Sequence, residues 1–357
     1  MDLVRKRISR RAALGAAVLS MGGLLAACSA PATAGPAAPG SAVQVRVGYF
    51  PNVTHAPALV ADAEGLLTKR LGAAGATVVT KSFNAGPDVL QAILGGSLDI
   101  SYIGPNPTVT AYIQSRGEGV RVIAGSTSGG AALVVKPEIT SAAQLRGRKL
   151  ATPQLGNTQD IALRHWLSTQ NLTATSDGGG DVSILPQATA AAVQAFSTGE
   201  IDGGWLPEPF ATRLVKAGGK VLVDERSLWP QQRFVTTNII ARTQFVQQHP
   251  DLVRAFVEAH LDALEAIKSE PAKAKAAVSG QIKKITEQEL DPAVLDAAWK
   301  NLEFTADPLA ATLRTSAEHA AGVGLLPKKP SDDFAQLWDV AILNEALTAR
   351  GQAKVTT

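Results

Sequence analysis

The sequence predicts an α/β protein with two sheet-containing domains and a helical C-terminal region. Between residues 43 and 224, short apolar runs typical of buried strands alternate with amphipathic helical patterns. From residue 243 this alternation stops, and residues 250–268 form a strong amphipathic helical pattern that further helical segments follow. A weak internal repeat, residues 92–107 against residues 195–209, also indicates two related sheet halves.

The first half of the alternating region contains strands that end in polar turns. Residues 43–50, 76–83, 98–103 and 120–125 predict strands, and each is followed by a turn rich in Pro, Gly, Ser, Thr or Asn. Strands that alternate with helices at this spacing predict a parallel sheet covered on both faces. Because ligands bind outside the carboxyl ends of such strands, these turns are candidate binding loops.

Residues 149–167 predict a short strand, a tight loop and an amphipathic helix. Asn157 is the expected N-cap, and Asp160, at the third helical position, is expected to reciprocate that cap. The N–H groups and the positive dipole end of such a helix can hold an anion near Gly156 and Thr158. The pattern also fits an ordinary strand-to-helix connection whose cap serves only the helix.

The second half of the alternating region repeats the pattern, with strands predicted near residues 182–186, 201–206 and 220–224. The internal repeat pairs three residues of each half: Asp99 with Asp202, Tyr102 with Trp205, and Asn106 with Glu208. Two equivalent polar turns suggest two walls of one cleft. Coincidence between two connections rich in Gly and Pro is the alternative explanation.

The first residues of the chain have the pattern of an export signal. Residues 1–27 hold a basic segment and an apolar stretch that is too short and too rich in small residues for a membrane span. The sequence before Cys28, LAA, resembles the lipobox of bacterial lipoproteins, so Cys28 is the expected lipid-attachment site. As the only cysteine, Cys28 also excludes intrachain disulfides. Arg10 and Arg11 resemble a twin-arginine signal, with simple n-region charge as the alternative.

Residues 28–42 are almost entirely Ala, Pro, Gly and Ser, which predicts a flexible tether. Five of the 34 basic residues and one of the 31 acidic residues lie within residues 1–27, so the rest of the chain carries a formal charge of −1. A chain with this balance has no basic face suited to nucleic acid.

Five blocks of the sequence carry a family resemblance. They resemble the solute-binding proteins of ABC importers for aliphatic sulfonates, nitrate and taurine, a group that also includes binders of thiamine pyrimidine precursors. In order, the blocks are VRVGYFPNVTHAPALVA, FNAGPDVLQAILGGSLDISYIGPNPTV, VIAGSTSGGAALVV, LATPQLGNTQDIALRHWL and WLPEPFATRLV. The similarity covers roughly residues 45–306.

This resemblance implies a two-lobed type II periplasmic-binding fold that closes on a small ligand by hinge motion. It implies chain crossings near residues 129–132 and 236–239, with residues 43–131 and 236–357 in lobe 1 and residues 132–235 in lobe 2. The implied function is that of an extracytoplasmic, lipid-anchored monomer that captures an alkanesulfonate or taurine and delivers it to an ABC permease with its ATPase. Nitrate and a thiamine pyrimidine precursor are the alternative ligands.

Carried over position by position, the resemblance implies a set of ligand-facing residues in polar turns: Asn52, Thr54, His55, Gly86, Asn106, Ser126, Thr127, Ser128, Asn157, Thr158, Gln159 and Glu208. Neutral donors and helix N-termini suit a sulfonate or nitrate. Glu208 would repel a bare anion, so it either pairs with the ammonium of a zwitterion such as taurine or caps the helix after Pro209. His55 is either a ligand donor or a helix-start residue that faces solvent.

Some aromatic residues are expected in the wall of the ligand pocket and others in the hydrophobic core. Phe50 and Tyr102, near strand ends, are candidates for an apolar pocket wall, whereas Trp166 and Trp205 are expected in the core. Enzyme motifs do not stand out: the histidines lack metal-ligand spacing, and neither a P-loop nor GxGxxG occurs. We therefore expect a binding protein without a cofactor or metal. A ligand sensor or an enzyme of the same fold is the alternative.

Overall fold

Two β-sheets organise the part of the chain that the computed structural model describes, residues 42–326 and 334–357. The strands are β1 Val43–Tyr49, β2 Ala76–Ser82, β3 Ile100–Ile103, β4 Val120–Gly129, β5 Ala131–Val135, β6 Lys149–Thr152, β7 Ser183–Pro186, β8 Gly203–Pro207, β9 Lys220–Asp224, β10 Val235–Arg242 and β11 Leu302–Phe304. The first sheet has the order β11-β4-β10-β3-β1-β2, and the second has the order β7-β6-β8-β5-β9. The predicted signal peptide, Cys28 and nearly all of the tether lie outside the described residues.

Helices connect the strands and form the C-terminal region. They are α1 Ala56–Ala63, α2 Leu66–Ala73, α3 Gly86–Leu94, α4 Pro105–Gln114, α5 Thr158–Thr169, α6 Thr189–Thr198, α7 Phe210–Lys216, α8 Thr243–Gln248, α9 Pro250–Ser269, α10 Pro271–Thr286, α11 Pro292–Trp299, α12 Ala310–Gly322 and α13 Ala341–Ala349. Six of these helices begin with proline at the first or second position, where the missing N–H costs no helical hydrogen bond. Within the described residues, no helix has the length and apolarity needed to cross a membrane.

The expectation of purely parallel sheets is wrong for two strands of the first sheet and for one strand of the second. Strands β1, β2 and β3 pair in parallel, as do β6, β7 and β8. In contrast, β10 is antiparallel to β3 and β4, and β5 is antiparallel to β8 and β9. Strands β10 and β5 each receive the chain from the other sheet, so each enters its own sheet from the opposite end. The edge strand β11 is also antiparallel, to β4.

The two sheets share one topology, which explains the internal repeat. Read from β2 to β4, the first sheet runs β2-β1-β3-β10-β4, and the second runs β7-β6-β8-β5-β9 in the equivalent places. Asp99 precedes β3 and accepts hydrogen bonds from Arg46 at 2.6 Å and Arg242 at 2.9 Å. Asp202 precedes β8 and pairs with Lys136 at 3.0 Å. The repeated Asp therefore anchors the start of the central strand in each sheet.

Each sheet has a hydrophobic core on both faces. On the first sheet, α1, α2, α9, α10 and α13 cover one face, and α3, α4 and α12 cover the other. On the second sheet, α5 covers one face, and α6 and α7 cover the other. We refer to the first sheet with its helices as lobe 1 and to the second sheet with its helices as lobe 2. The strands of the first sheet lie within residues 43–129 and 235–304, and those of the second lie within residues 131–224.

Candidate functional site

A cavity lies between the carboxyl ends of the strands of the two lobes. Seven of the predicted site residues line it: Phe50, Asn52, Thr54, His55, Asn157, Thr158 and Gln159. The first four come from the β1–α1 connection, and the other three come from the end of the β6–α5 connection and the first turn of α5. The two connections occupy equivalent places in the two lobes. The remaining lining residues are Asn84, Gly104, Pro153, Thr189, Pro207, Thr236 and Thr237.

The turn after β1 holds its polar side chains by local hydrogen bonds. Asn52 and Thr54 are both buried, and Thr54 Oγ1 donates to Asn52 Oδ1 at 2.6 Å. Because the Asn52 oxygen is already an acceptor, its amide N–H groups are left to donate to a ligand.

His55 is a neutral hydrogen-bond donor in this cavity. Its Nδ1 accepts from the Phe50 backbone N–H at 3.2 Å, and its ring stacks on the Phe50 ring with centroids 4.3 Å apart. A neutral ring that accepts at Nδ1 carries its proton on Nε2. Burial lowers the pKa of His55 to about 3, so the ring is uncharged at physiological pH. With 2% exposure, His55 does not face solvent, which removes one of its two sequence interpretations.

At the N-terminus of α5, the predicted Asn157 cap is present, but the predicted reciprocal contact from Asp160 is not. Asn157 Oδ1 accepts from the Thr158 backbone N–H at 2.5 Å, as predicted. Asp160 does not reciprocate on Asn157; it accepts from the backbone N–H of Gly156 at 3.0 Å. Gly156 has a φ of 73°, and this left-handed turn brings its N–H within reach of the Asp160 carboxylate.

A buried ion pair supports this helix start. Arg164 Nε donates to Asp160 at 3.0 Å, and the side chains are 2% and 0% exposed. Thr152 Oγ1 donates to the same carboxylate at 2.9 Å. Sequence reasoning missed Arg164 because it lies one helical turn beyond the polar loop. Its charge is neutralised by Asp160, so it stabilises the loop and leaves the cavity without a formal charge.

Two hydroxyl groups at the cavity have no hydrogen-bond partner among the described residues. Thr158 Oγ1 comes from lobe 2, and Thr237 Oγ1 comes from β10 in lobe 1. Buried polar atoms are nearly always paired in folded proteins, so these two are candidates to bind a ligand. Sequence reasoning missed Thr237 because it lies inside a strand and carries no turn signal.

The lining of the cavity contains neutral donors and helix N-termini. None of its fourteen residues is acidic or basic apart from the neutral His55. Gly104, Thr158 and Thr189 lie at the starts of α4, α5 and α6, so three helix dipoles direct their positive ends at one place. This arrangement favours a small anion that accepts several hydrogen bonds.

Gly86 and Asn106 lie outside the lining of this cavity, in contacts that hold helices together. A Cβ on Gly86 would approach the Pro107 side chain to 2.1 Å, so the glycine allows α3 to pack closely on α4. Asn106 Nδ2 donates to the Ser316 backbone oxygen at 3.0 Å and thereby joins α4 to α12.

Ser126, Thr127 and Ser128 also lie outside the cavity lining, because β4 does not end at residue 125. The strand continues to Gly129 and is paired on both sides, with β10 and with β11. Ser128 Oγ accepts from the Phe234 backbone N–H at 3.2 Å. The predicted turn is therefore a buried strand segment.

Glu208 has the contacts of a helix cap. Its carboxylate accepts from the backbone N–H of Thr212 at 3.1 Å, from Thr212 Oγ1 at 2.9 Å and from Asn301 Nδ2 at 2.7 Å. Burial raises the pKa of Glu208, and these hydrogen bonds oppose that rise. Pro207 lines the cavity but Glu208 does not. The contacts agree with the capping interpretation.

Tyr102 is not part of the pocket wall, because it is fully buried and bonded through its hydroxyl to His260 Nδ1 at 3.1 Å. Trp166 and Trp205 are buried in the lobe 2 core, as predicted. Among the described residues, no group of three or more His, Cys, Asp or Glu side chains is placed to hold a metal ion.

Comparison with known proteins shows related binding proteins. The chain is 30% identical over 225 residues to the taurine-binding periplasmic protein of Escherichia coli, an alignment that covers 62% of this chain and 66% of that protein. The chain therefore spans just under two thirds of the length of this curated relative.

Solved structures share the fold. The alkanesulfonate-binding protein SsuA of Xanthomonas axonopodis pv. citri, bound to MOPS, has a TM-score of 0.66 at 20% identity and covers 80% of this chain and 95% of its own. The nitrate-binding protein NrtA of Synechocystis PCC 6803 has a TM-score of 0.69 at 17% identity, with coverages of 86% and 89%. A DszB mutant in complex with biphenyl-2-sulfinic acid has a TM-score of 0.63 at 17% identity, with coverages of 86% and 99%. The predicted two-lobed α/β fold of periplasmic binding proteins is thus confirmed.

The sequence profile of one family extends over most of the alternating region. This profile, described as the NMT1-like family, matches residues 38–281. That segment includes both connections that line the cavity and all strands of lobe 2. The chain therefore belongs to the NMT1-like family.

Proposed function

We propose that the chain is an extracytoplasmic solute-binding protein of an ABC importer, which captures a small sulfonate between its lobes and delivers it to a membrane permease with its ATPase. The observation that carries this proposal is the cavity itself. It joins neutral donors from both lobes with two unpaired hydroxyls, those of Thr158 and Thr237. Such a set binds an anion without neutralising it by a cation.

A sulfonate fits this donor set because it is a weakly basic anion with three acceptor oxygens. The donors come from opposite lobes: Asn52 and His55 from lobe 1, and Thr158 with the α5 N-terminus from lobe 2. The names of relatives that bind taurine or alkanesulfonates support this ligand class. Nitrate is the second candidate, supported by the similarity to a nitrate-binding protein. A thiamine pyrimidine precursor remains a further alternative.

In the proposed mechanism, the ligand binds residues of both lobes at once and thereby holds the lobes together. An anion bound to Asn52 and Thr158 at once stabilises only the conformation in which the two lobes are close, so it shifts the population toward the closed state. We propose the hinge at Gly129 and Gly130, which have φ values of 77° and 75°, and at the return into β10. The proposed lobes are residues 43–131 with 236–357, and residues 132–235.

The cellular setting of the proposal rests on the sequence pattern. Residues 1–27 would be removed as a signal peptide, by the general or the twin-arginine export route. Cys28 would carry the lipid that anchors the protein to the outer face of the cell membrane, with residues 28–42 as the tether. The protein would act as a monomer and as a binding protein, not as an enzyme.

The first experiment measures melting temperature for the protein from Ser29 onward with taurine, propanesulfonate, nitrate and a thiamine pyrimidine. Ligand at about 100 times its dissociation constant adds about 2.7 kcal/mol of stability. We expect the sulfonates to raise the transition. A shift with nitrate alone, with the pyrimidine alone, or with none of the four contradicts the sulfonate proposal.

Glu208→Gln separates the two roles left open for that residue. If Glu208 only caps α7, the variant melts lower but keeps the full taurine shift. If Glu208 pairs with an ammonium group, taurine loses its shift in the variant while propanesulfonate retains its own.

A further inference from the structure

The anion cavity opens outward into a wider cleft between the lobes, with a volume of about 390 Å³. Five residues line both spaces: Phe50, Asn52, Asn84, Pro153 and Thr189. Because the two spaces share these walls, one molecule can occupy both at once. Nitrate or taurine is too small to fill the outer cleft as well.

Arg213, on α7 of lobe 2, lines this outer cleft. It is half-buried, and among the described residues its guanidinium forms neither an ion pair nor a hydrogen bond. The guanidinium lies over the Phe210 ring, whose centroid is 5.4 Å from Cζ. Because the guanidinium is partly buried and no acidic group pairs with it among the described residues, burial lowers the pKa of Arg213. A positive group in this condition favours an anionic ligand.

The rest of the outer cleft combines apolar and polar residues, with somewhat more apolar than polar surface, and two of its polar atoms lack partners. Its larger apolar lining residues are Phe50, Phe83, Pro186, Phe210 and Ile282. Gln154 Oε1 and Gln187 Nε2 are buried and have no hydrogen-bond partner among the described residues. Asp88 is the acidic residue of the lining, but it is exposed on lobe 1 and forms no ion pair with Arg213.

We propose that the outer cleft is a second subsite, contiguous with the anion cavity, for an organosulfonate whose ring-sized apolar body carries a second anionic group that binds Arg213. This inference rests on the proposed function, because the sulfonate occupies the inner cavity. The apolar walls hold the body of the ligand, and the guanidinium binds a carboxylate or a second sulfonate. An ammonium group at the same position is repelled by Arg213, so the subsite discriminates against cationic substituents.

The test compares ring sulfonates that differ only at the far end of the ring, with methanesulfonate as a ligand that lacks the ring. Isothermal titration calorimetry measures the affinities of methanesulfonate, benzenesulfonate, 4-sulfobenzoate and 4-(aminomethyl)benzenesulfonate, whose benzylic amine is an ammonium group at neutral pH. We expect 4-sulfobenzoate to bind at least about tenfold more tightly than benzenesulfonate, a difference of about 1.4 kcal/mol. Arg213→Gln should remove this preference and leave the benzenesulfonate affinity within about twofold. Arg213→Lys should retain part of it.

Arg314→Gln is the matched control. Arg314 also lies over an aromatic ring, with Cζ 5.5 Å from the Trp338 centroid, but it lines neither the anion cavity nor the outer cleft. This variant should leave the preference for 4-sulfobenzoate unchanged. Circular dichroism and melting temperature verify that each variant is folded.

The possible failures are distinguishable. If methanesulfonate binds and the carboxylate adds no affinity, or if 4-(aminomethyl)benzenesulfonate binds most tightly, the subsite inference is overturned while the proposed function stands. If no sulfonate binds, both fall together. If Arg213→Gln weakens benzenesulfonate as much as 4-sulfobenzoate, Arg213 does not recognise the second anion, and the inference is again overturned.

Discussion

Thr158 of lobe 2 lies so close to Gly104 of lobe 1 that a Cβ on Gly104 would be 2.4 Å from Thr158 Oγ1. Gly104 has a φ of −72°, which any residue adopts, so its backbone conformation does not require glycine. The requirement is for space between the lobes. Gly104 therefore sets how closely the N-termini of α4 and α5 approach each other at the anion cavity.

Gly104→Ala should weaken ligand binding by preventing this approach. We expect at least a tenfold loss of affinity for propanesulfonate, about 1.4 kcal/mol, measured by calorimetry. Gly72→Ala is the control, because Gly72 lies in α2 with no atom within 4 Å of the added Cβ. That variant should keep full affinity and gain roughly 0.5–1 kcal/mol of stability. Unchanged affinity in Gly104→Ala would show that the lobes need not meet at this point.

Thr158→Val and Thr237→Val remove hydroxyls that have no partner among the described residues. Each should change the free energy of unfolding by less than about 1 kcal/mol while lowering sulfonate affinity about tenfold. Thr236→Val is the contrasting variant, since Thr236 Oγ1 donates to the Gly129 backbone oxygen. It should lose about 1 kcal/mol of stability. Urea denaturation measures the stability of the three variants, and calorimetry measures their sulfonate affinity. If Thr158→Val and Thr237→Val both bind as tightly as the unmodified protein, the anion binds elsewhere.

Asp160→Asn tests the buried pair beneath the α5 N-terminus. Breaking it leaves the Arg164 charge buried and uncompensated, so we expect a loss of about 3–5 kcal/mol in urea denaturation. Glu345→Gln removes the exposed partner of Arg254, with side chains 45% and 61% exposed, and should cost less than about 1 kcal/mol. Similar losses in the two variants would mean that burial does not distinguish these ion pairs.

Local signals in the sequence were enough to locate the two connections at the anion cavity. Asn52 follows the run of β1, and Asn157 caps α5, so each is marked by residues within a few positions of itself. The shared topology of the two sheets then brings these connections face to face. The repeat around Asp99 and Asp202 was a correct sign of that topology.

Residues placed by distant parts of the chain were harder to predict. Ser126 and Ser128 have the composition of a turn, but β10 and β11, which are over 100 residues away, extend the strand through them. Thr237 reaches the cavity only because β10 returns to lobe 1 from lobe 2. Arg213 lines the outer cleft only because of how α7 packs on its sheet. Sequence periodicity carries no information about such long-range placement.

His165 and His319 form a stacked pair that links the lobes. His165 is on α5 of lobe 2 and His319 on α12 of lobe 1, with ring centroids 3.5 Å apart and planes 10° apart. Burial lowers the pKa of both rings; for His319, burial and then the nearby His165 lower it to about 4. Protonation of both rings would place two positive charges in direct contact.

The pH dependence follows from these directions. Histidines in the unfolded chain bind protons near pH 6.5, whereas His319 resists protonation down to about pH 4 and burial lowers the pKa of His165 as well. The unfolded state therefore binds more protons in this window, so the stability from the pair is complete above pH 6.5 and is lost as the pH falls toward 4. The buried His55 and His260 add to the same decline. Replacing both stacked histidines by Gln should make the fall of melting temperature with acid shallower.

Glu225, which lines the same small cavity as the stacked histidines, should act in the opposite direction. Burial raises its pKa to about 7 from an ordinary value of 4.5, so the folded state binds the extra proton between these pH values. Its contribution to stability is complete below pH 4.5 and is lost as the pH rises through 7. Glu225→Gln should therefore make the acid decline steeper, while the double histidine variant makes it shallower. Melting curves at intervals from pH 8 to 4 measure both slopes, and a change of the same sign in the two variants would contradict this account of the pair.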